Sequence, residues 1–305
     1  MKRHPSCILA TCCTPWDEHN KFAEDQFRRL VRASLKGTRH LYVFGTAGEG
    51  YAVSETQFDV VSQTFAEEMR AGDADPMVGV ISLSQSTILD RIRRCADRSI
   101  RLFQISLPSW GALSDGELAT FFRDVCDGFP ECRFVHYNLP RAKRMLTARE
   151  YGELAERHPN LVGTKNCTDS LSFMYGLLTE APQLQHFFTE VGYLYARMFG
   201  ECGVLASFVT GWARLHELFD AGQTRNVERY PEFTRECRLL HKLLLESVGP
   251  EPHIDGAYDK IFARINVPDF PLRLLPPYEY TSDAQFEQFT ASMREQLPNW
   301  MPPAD

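Results

Sequence analysis

A lysine closes the apolar run Leu161-Val-Gly-Thr-Lys165. A cationic side chain at the end of a buried strand is costly unless its pKa falls or a reaction uses it. An amine that is neutral near physiological pH attacks ketone carbons, and Lys165 is the candidate nucleophile. With a 2-oxo acid it would form an imine whose nitrogen draws electrons from the adjacent carbon. That permits C–C cleavage, C–C formation or loss of water. An isolated strand-end lysine more often snorkels into solvent; the neighbouring motifs favour the chemical reading.

Two other apolar runs end in reactive residues. Phe134-Val-His-Tyr-Asn-Leu-Pro140 offers Tyr137, which could move protons at the carbonyl oxygen and a leaving hydroxyl. Taken alone, such a tyrosine packs in the core with its hydroxyl on backbone about as readily. Asn138 and Pro140 would shape the turn that follows. Leu41-Tyr-Val-Phe44 leads into Gly45-Thr-Ala-Gly-Glu49. Its glycines allow a tight turn with exposed amides, a concavity that suits a carboxylate. Gly45, Thr46 and Ala47 would form that cradle, with the Thr46 hydroxyl on the substrate carboxylate or in a proton relay. Glu49 reads as structural, bonding loop amides or water. Trp110, Ser207, Tyr51 and Cys167 are candidates for lining the pocket, each of them ordinary packing when judged alone.

These residues need a scaffold, and the chain supplies an alternation. Strands are predicted at Ile8–Cys12, Leu41–Phe44, Met77–Ile81, Leu102–Ser106, Arg133–Tyr137, Leu161–Lys165, Gln185–Thr189 and Gly203–Ala206. Helices are predicted between them near 24–36, 55–70, 86–97, 115–127, 147–157, 169–180, 191–199 and 211–221, with Ser54, Ser114, Thr147 and Thr168 as caps. Eight such alternations predict an α/β protein, a TIM (β/α)8 barrel over 1–222. A C-terminal helical extension over 223–305 follows, with helices near 224–247, 254–265 and 283–296. A doubly wound sheet is the alternative, but Gly45-Thr-Ala-Gly-Glu-Gly50 has neither the dinucleotide-binding order nor a P-loop ending. In the barrel all three motifs fall at C-terminal strand ends, where such folds place chemistry. Strand alternation puts Leu161, Gly163 and Lys165 on the inward face, Gly163 leaving room beside the lysine stem, and sets Tyr137 with Val135.

Composition narrows the class. A net charge of −7 argues against a nucleic-acid binder. The nine cysteines include no C-x-x-C, and the nine histidines show no metal-ligand spacing, so no metal is expected. Reduced thiols in a cytoplasmic protein are the economical reading. The basic start Met1-Lys-Arg-His-Pro precedes a run too short for a membrane span, and a first strand is expected there rather than a signal peptide.

The ordered set Gly45-Thr-Ala-Gly-Glu49, Tyr137-Asn-Leu-Pro140 and Gly163-Thr-Lys165 resembles the dihydrodipicolinate synthase / N-acetylneuraminate lyase family of class I aldolases. The similarity runs from about Ile8 through Phe208. It implies a TIM barrel, usually in homotetramers, and a Schiff base between pyruvate or a related 2-oxo acid and Lys165. Tyr137 would transfer protons, Thr46 with loop amides would bind the carboxylate, and no metal or organic cofactor would be needed. Three departures stand out. Ala47 replaces the hydroxyl that links the synthase's active tyrosine to one lent by a neighbouring subunit. Leu107-Pro-Ser-Trp-Gly111 presents Trp110 where the lent tyrosine would be. Ala142 stands where the synthase places its semialdehyde-holding arginine, flanked by Arg141 and Arg144.

The expectation is therefore a Schiff-base aldolase or dehydratase acting on pyruvate or a 2-oxo acid such as a keto-deoxy sugar acid, and not a true dihydrodipicolinate synthase. Nothing specifically identifies a sialic-acid wall. The alternative is a catalytically impaired barrel that binds a 2-oxo acid in a regulatory role. A metal-dependent aldolase has no ligand constellation in the sequence.

Overall fold

The computed structural model describes residues 3–209 and 211–302, so Met1 and Lys2 of the basic start lie outside the described residues. Strands and helices alternate as β1 Ile8–Cys12, α1 Glu24–Leu35, β2 Leu41–Val43, α2 Glu55–Ala71, β3 Met77–Gly79, α3 Gln85–Asp97, β4 Leu102–Ile105 and α4 Asp115–Phe122. They continue as β5 Arg133–Asn138, α5 Ala148–Arg157, β6 Leu161–Asn166, α6 Leu171–Glu180, β7 Gln185–Phe188, α7 Glu190–Ala196, β8 Gly203–Ala206 and α8 Trp212–Gln223. All neighbouring strands are parallel, and β8 pairs with β1 to close the barrel in sequence order. The TIM barrel is the fold. After it come α9 Tyr230–Val248, α10 Asp255–Asn266 and α11 Asp283–Gln296.

Local chemistry sets most boundaries. Ser54, Ser114 and Thr147 each form a capping box with Gln57, Glu117 and Glu150. Ser170, not Thr168, caps α6; the Thr168 hydroxyl accepts the Ser170 amide one turn earlier, at 3.2 Å. The helix expected from 224 starts at Tyr230, because Pro231 fits only a first turn; a short 3-10 turn, Val227–Arg229, precedes it. Among the described residues no helix is long and apolar enough to cross a membrane.

Leu9, Tyr42, Met77, Leu102, Val135, Val162, Phe187 and Leu205 pack together, their strands contributing to one cluster inside the barrel. A larger cluster fills the space between strands and helices, as a sheet buried on both faces requires. Leu161 belongs to this outer layer and not to the inward face expected of it, while Val162 takes the interior place. The cause is a register shift: Phe134 pairs with Leu161, but Val135 pairs with Gly163. The extra residue reverses the alternation of β6 at that point. Gly163 also serves a different neighbour. A Cβ there would meet the Gln185 carbonyl oxygen at 2.7 Å, so the missing side chain admits the β7 backbone rather than the lysine stem.

Candidate active site

Lys165 and Tyr137 are partners in register across β5 and β6, which is how two motifs 28 residues apart come to share one mouth. The Lys165 Nζ stands 4.0 Å from the Tyr137 ring centroid and 4.5 Å from that of Tyr42. It donates to the Tyr42 hydroxyl at 2.8 Å and, at a longer 3.4 Å, to Gln104 Oε1. Neither acceptor is a carboxylate. The side chain is only 4% exposed. Burial pulls its pKa down from 10.5 to about 8, with Cys167, Asp255 and Asp259 opposing only part of the shift. A substantial fraction of the amine is then neutral just above neutrality, the form that attacks a carbonyl.

Tyr42 was not singled out by sequence, although a polar-tipped aromatic in an otherwise apolar strand was its signal. Its hydroxyl accepts a hydrogen bond from the amine and so favours the ammonium form. Tyr42→Phe is therefore expected to lower the Lys165 pKa further. The pH midpoint for trapping pyruvate on the protein with borohydride should move to the acid side of the wild-type value; an unmoved or alkaline midpoint would show that the Tyr42 bond does not tune the amine.

Around this amine lies a cavity of about 470 Å³ lined by Thr11, Tyr42, Thr46, Ala47, Tyr137, Arg141, Lys165, Cys167, Ser207, Asp255 and Asp259, among others. Thr46 is 4% exposed, and its hydroxyl has no hydrogen-bond partner among the described residues. The amides of Thr46 and Ala47 likewise find no acceptor there. An unoccupied hydroxyl and two unoccupied amides in one turn suit a carboxylate. The Tyr137 hydroxyl lies 3.6 Å from Cys167 Sγ. Burial drives the Tyr137 pKa well above its ordinary value, so the phenol is held neutral, able to give or accept a proton by hydrogen bond.

Three expected site residues are elsewhere. Gly45 does not face the cavity; a Cβ there would come within 2.6 Å of the Tyr42 ring, so the glycine lets that ring pass beneath the turn. Trp110 is 80% exposed, and its carbonyl accepts from Lys143 Nζ at 2.7 Å. Tyr51 packs edge-on against Tyr278 instead of lining the cavity. Thr46, Ala47, Cys167 and Ser207 do line it.

The flanking arginines separate. Arg144 turns to Glu150, Asp115 and the Leu113 carbonyl. Arg141 reaches the cavity and holds Asp255 through two bonds of 2.8 and 3.1 Å. Ala142 between them is 1% exposed. Asp255 and Asp259, four apart on α10, are functional candidates that the sequence did not disclose. Their spacing puts them on one helix face, but nothing local says that this face covers the barrel mouth.

Glu49 is structural, as expected, with partners that lie beyond its own loop. It accepts from the Trp16 indole at 2.9 Å and the Leu275 amide at 2.7 Å, and pairs with Lys260 at 2.6 Å. The loop after β2 is thereby tied to α10. Asn138 clamps the next loop, donating to the Leu146 carbonyl and accepting the Leu146 amide.

Comparison with known proteins agrees with this geometry. The chain is 24% identical over 178 residues to 4-hydroxy-tetrahydrodipicolinate synthase of Exiguobacterium sp., a match spanning 58% of this chain and 60% of that one. It is 23% identical over 247 residues to N-acetylneuraminate lyase of Citrobacter koseri, covering 79% and 82% of the two chains. In structure it is similar to YagE, a prophage protein of the dihydrodipicolinic acid synthase family from E. coli K12 solved in complex with pyruvate. The TM-score is 0.81 at 13% identity, over 95% of this chain and 97% of that one. The Dihydrodipicolinate synthetase family matches residues 4–248, and the chain belongs to that family.

Proposed function

We propose that this protein is a Schiff-base lyase acting on pyruvate or a 2-oxo acid through an imine on Lys165. The observation that carries this reading is the buried amine itself. It sits at the C-terminal mouth of the barrel with no carboxylate partner among the described residues and a pKa of about 8, against the ring of Tyr137. The neutral amine adds to C2 of the substrate, Tyr137 exchanges protons with the carbonyl oxygen, and water leaves. The resulting iminium takes up the electron pair of a bond at C3. Breaking C3–C4 gives an aldehyde and pyruvate; losing a hydroxyl from C4 after deprotonation at C3 gives dehydration. Thr46 and the free amides beside it would hold the substrate carboxylate.

The departures from the synthase pattern support another substrate. Ala47 presents a methyl to the cavity, Trp110 points outward, and Ala142 is packed away. Ser207, Asp255 and Asp259 also line a second cavity of about 1250 Å³ bordered by α7, α9 and α10. A 2-oxo acid with an extended substituent beyond C4, such as a keto-deoxy acid, has room to project there. The reading includes a homo-oligomer, as the family resemblance implies, and a cytoplasmic setting, in keeping with nine unpaired cysteines.

Incubation with pyruvate and borohydride, followed by intact mass and peptide mapping, tests the proposal. A reduced pyruvyl adduct on Lys165 is expected, and its absence with pyruvate and with longer 2-oxo acids would overturn it. An adduct with no product across a panel of 4-hydroxy-2-oxo acids would favour the regulatory alternative.

A further inference from the structure

The cavity contains an acid–base side chain that the steps above leave idle. Asp259 lies on α10 directly before Lys260, whose amine is fixed by Glu49 and the Arg273 carbonyl. Its position is therefore set by the core and not by a loop. Its carboxyl lines the cavity with Lys165 and Tyr137, yet no described residue hydrogen-bonds or ion-pairs with it. The nearby carboxylates are already engaged: Arg141 holds Asp255, and Glu190 accepts the Ser207 and Phe208 amides. Tyr137, by contrast, has a poor outlet for protons. Among the described residues its hydroxyl meets only Cys167, at 3.6 Å, and the adjoining loop offers the Ala47 methyl.

We infer that Asp259 is a proton-transfer residue of the imine cycle, serving the hydroxyl that leaves C2 and the hydroxyl on C4 of the substrate. The inference rests on the Schiff-base reading above. In the carbinolamine, the Asp259 carboxyl gives its proton to the C2 hydroxyl. The C–O bond breaks, water departs, and the nitrogen lone pair forms the C=N bond. The new carboxylate faces a cationic iminium. It then takes the proton of the C4 hydroxyl; the O–H pair becomes the aldehyde C=O, and the C3–C4 pair enters the enamine. Asp259 ends as it began, and no proton is gained or lost over the two steps.

The surroundings suit this alternation. Asp255 on the same helix and Glu190 on α7 add negative charge, while Lys165 on β6 offsets it; Tyr42 and Cys13 are the other titratable groups coupled to Asp259. Burial first, and Asp255 second, push its pKa up from the usual carboxylate range, which favours the protonated form that can donate. Formation of the iminium reverses that bias.

Exchange of the pyruvate methyl protons in D2O, followed by proton NMR, tests the role without knowledge of the natural substrate. Asp259→Asn is expected to slow exchange by roughly 100-fold, the scale of a lost general acid–base. Borohydride should still trap its adduct on Lys165, and one limb of the pH profile should disappear. Asp259→Glu should restore a tenth or more of the rate with a displaced limb. Exchange by Asp259→Asn within about threefold of wild type, with an unchanged profile, overturns the role while leaving the imine intact. If Asp259→Asn does not fold, an unchanged profile in Asp259→Glu overturns it instead. Wild-type protein that neither exchanges nor traps pyruvate or longer 2-oxo acids removes the Schiff-base reading and this inference together.

Discussion

Lys165→Met is expected to lose turnover by roughly a thousandfold or more, the scale on which removal of a covalent nucleophile acts, and at the same time to raise thermal stability. The second effect follows from linkage. The folded pKa of about 8 lies below the ordinary 10.5, so the unfolded chain binds the extra proton more tightly. The penalty is present in full below pH 8, fades as pH rises from 8 to 10.5, and is gone above that window. The shift corresponds to about 3 kcal/mol at neutral pH. Methionine fills much of the space, and the Tyr42 hydroxyl loses a partner at a cost of about 1 kcal/mol. A net gain of roughly 5 °C in Tm at pH 7 follows from what remains. The gain should shrink as pH climbs towards 10.5. Melting curves of both proteins at pH 7 and above pH 10 check this. A variant that melts lower than wild type at pH 7 would show that the amine is not held under strain.

Lys260→Met should do the opposite, although this lysine is also buried and also has its pKa lowered by burial. The difference lies in the partner. Lys260 and Glu49 are both 0% exposed and pair at 2.6 Å, and Glu49 anchors Trp16 and Leu275 as well. Removing the lysine leaves a carboxylate in the core without its counterion, a loss of about 3–5 kcal/mol. That is roughly 10 °C in Tm for a chain of this size. The double variant Lys260→Met with Glu49→Gln removes both charges and should recover part of the loss. Equal melting of the single and double variants would mean that packing, not charge, holds this tie. On the proposed function, one buried lysine is retained at a cost because it reacts; the other joins the β2 loop to α10.

Much of this is legible in the amino-acid sequence. Strand and helix order followed from periodicity and caps, because each βα unit is local in sequence. Lys165 and Tyr137 could be paired because consecutive strands of a parallel barrel lie side by side. What failed was geometry beyond simple alternation. Leu161 was misplaced by one inserted residue in β6, and Gly163 answered to a backbone that the strand itself does not contain. Trp110 occupies the sequence position of a lent tyrosine in the resembling synthases, yet it faces solvent. Asp255 and Asp259 escaped notice because their role depends on where α10 lands, which is set by the distant Glu49–Lys260 contact and not by neighbouring residues.

The outward turn of Trp110 has an optical consequence. Of the four tryptophans, Trp16 and Trp300 are 0% exposed and Trp212 is half-buried, leaving Trp110 as the indole in water. Its emission should lie to the red of the others and be open to iodide quenching. It sits on the loop after β4, with its carbonyl held by Lys143, two residues beyond Arg141. The chain therefore carries its own exposed fluorophore on the loop after β4, whose emission should report movement of that loop without any added label.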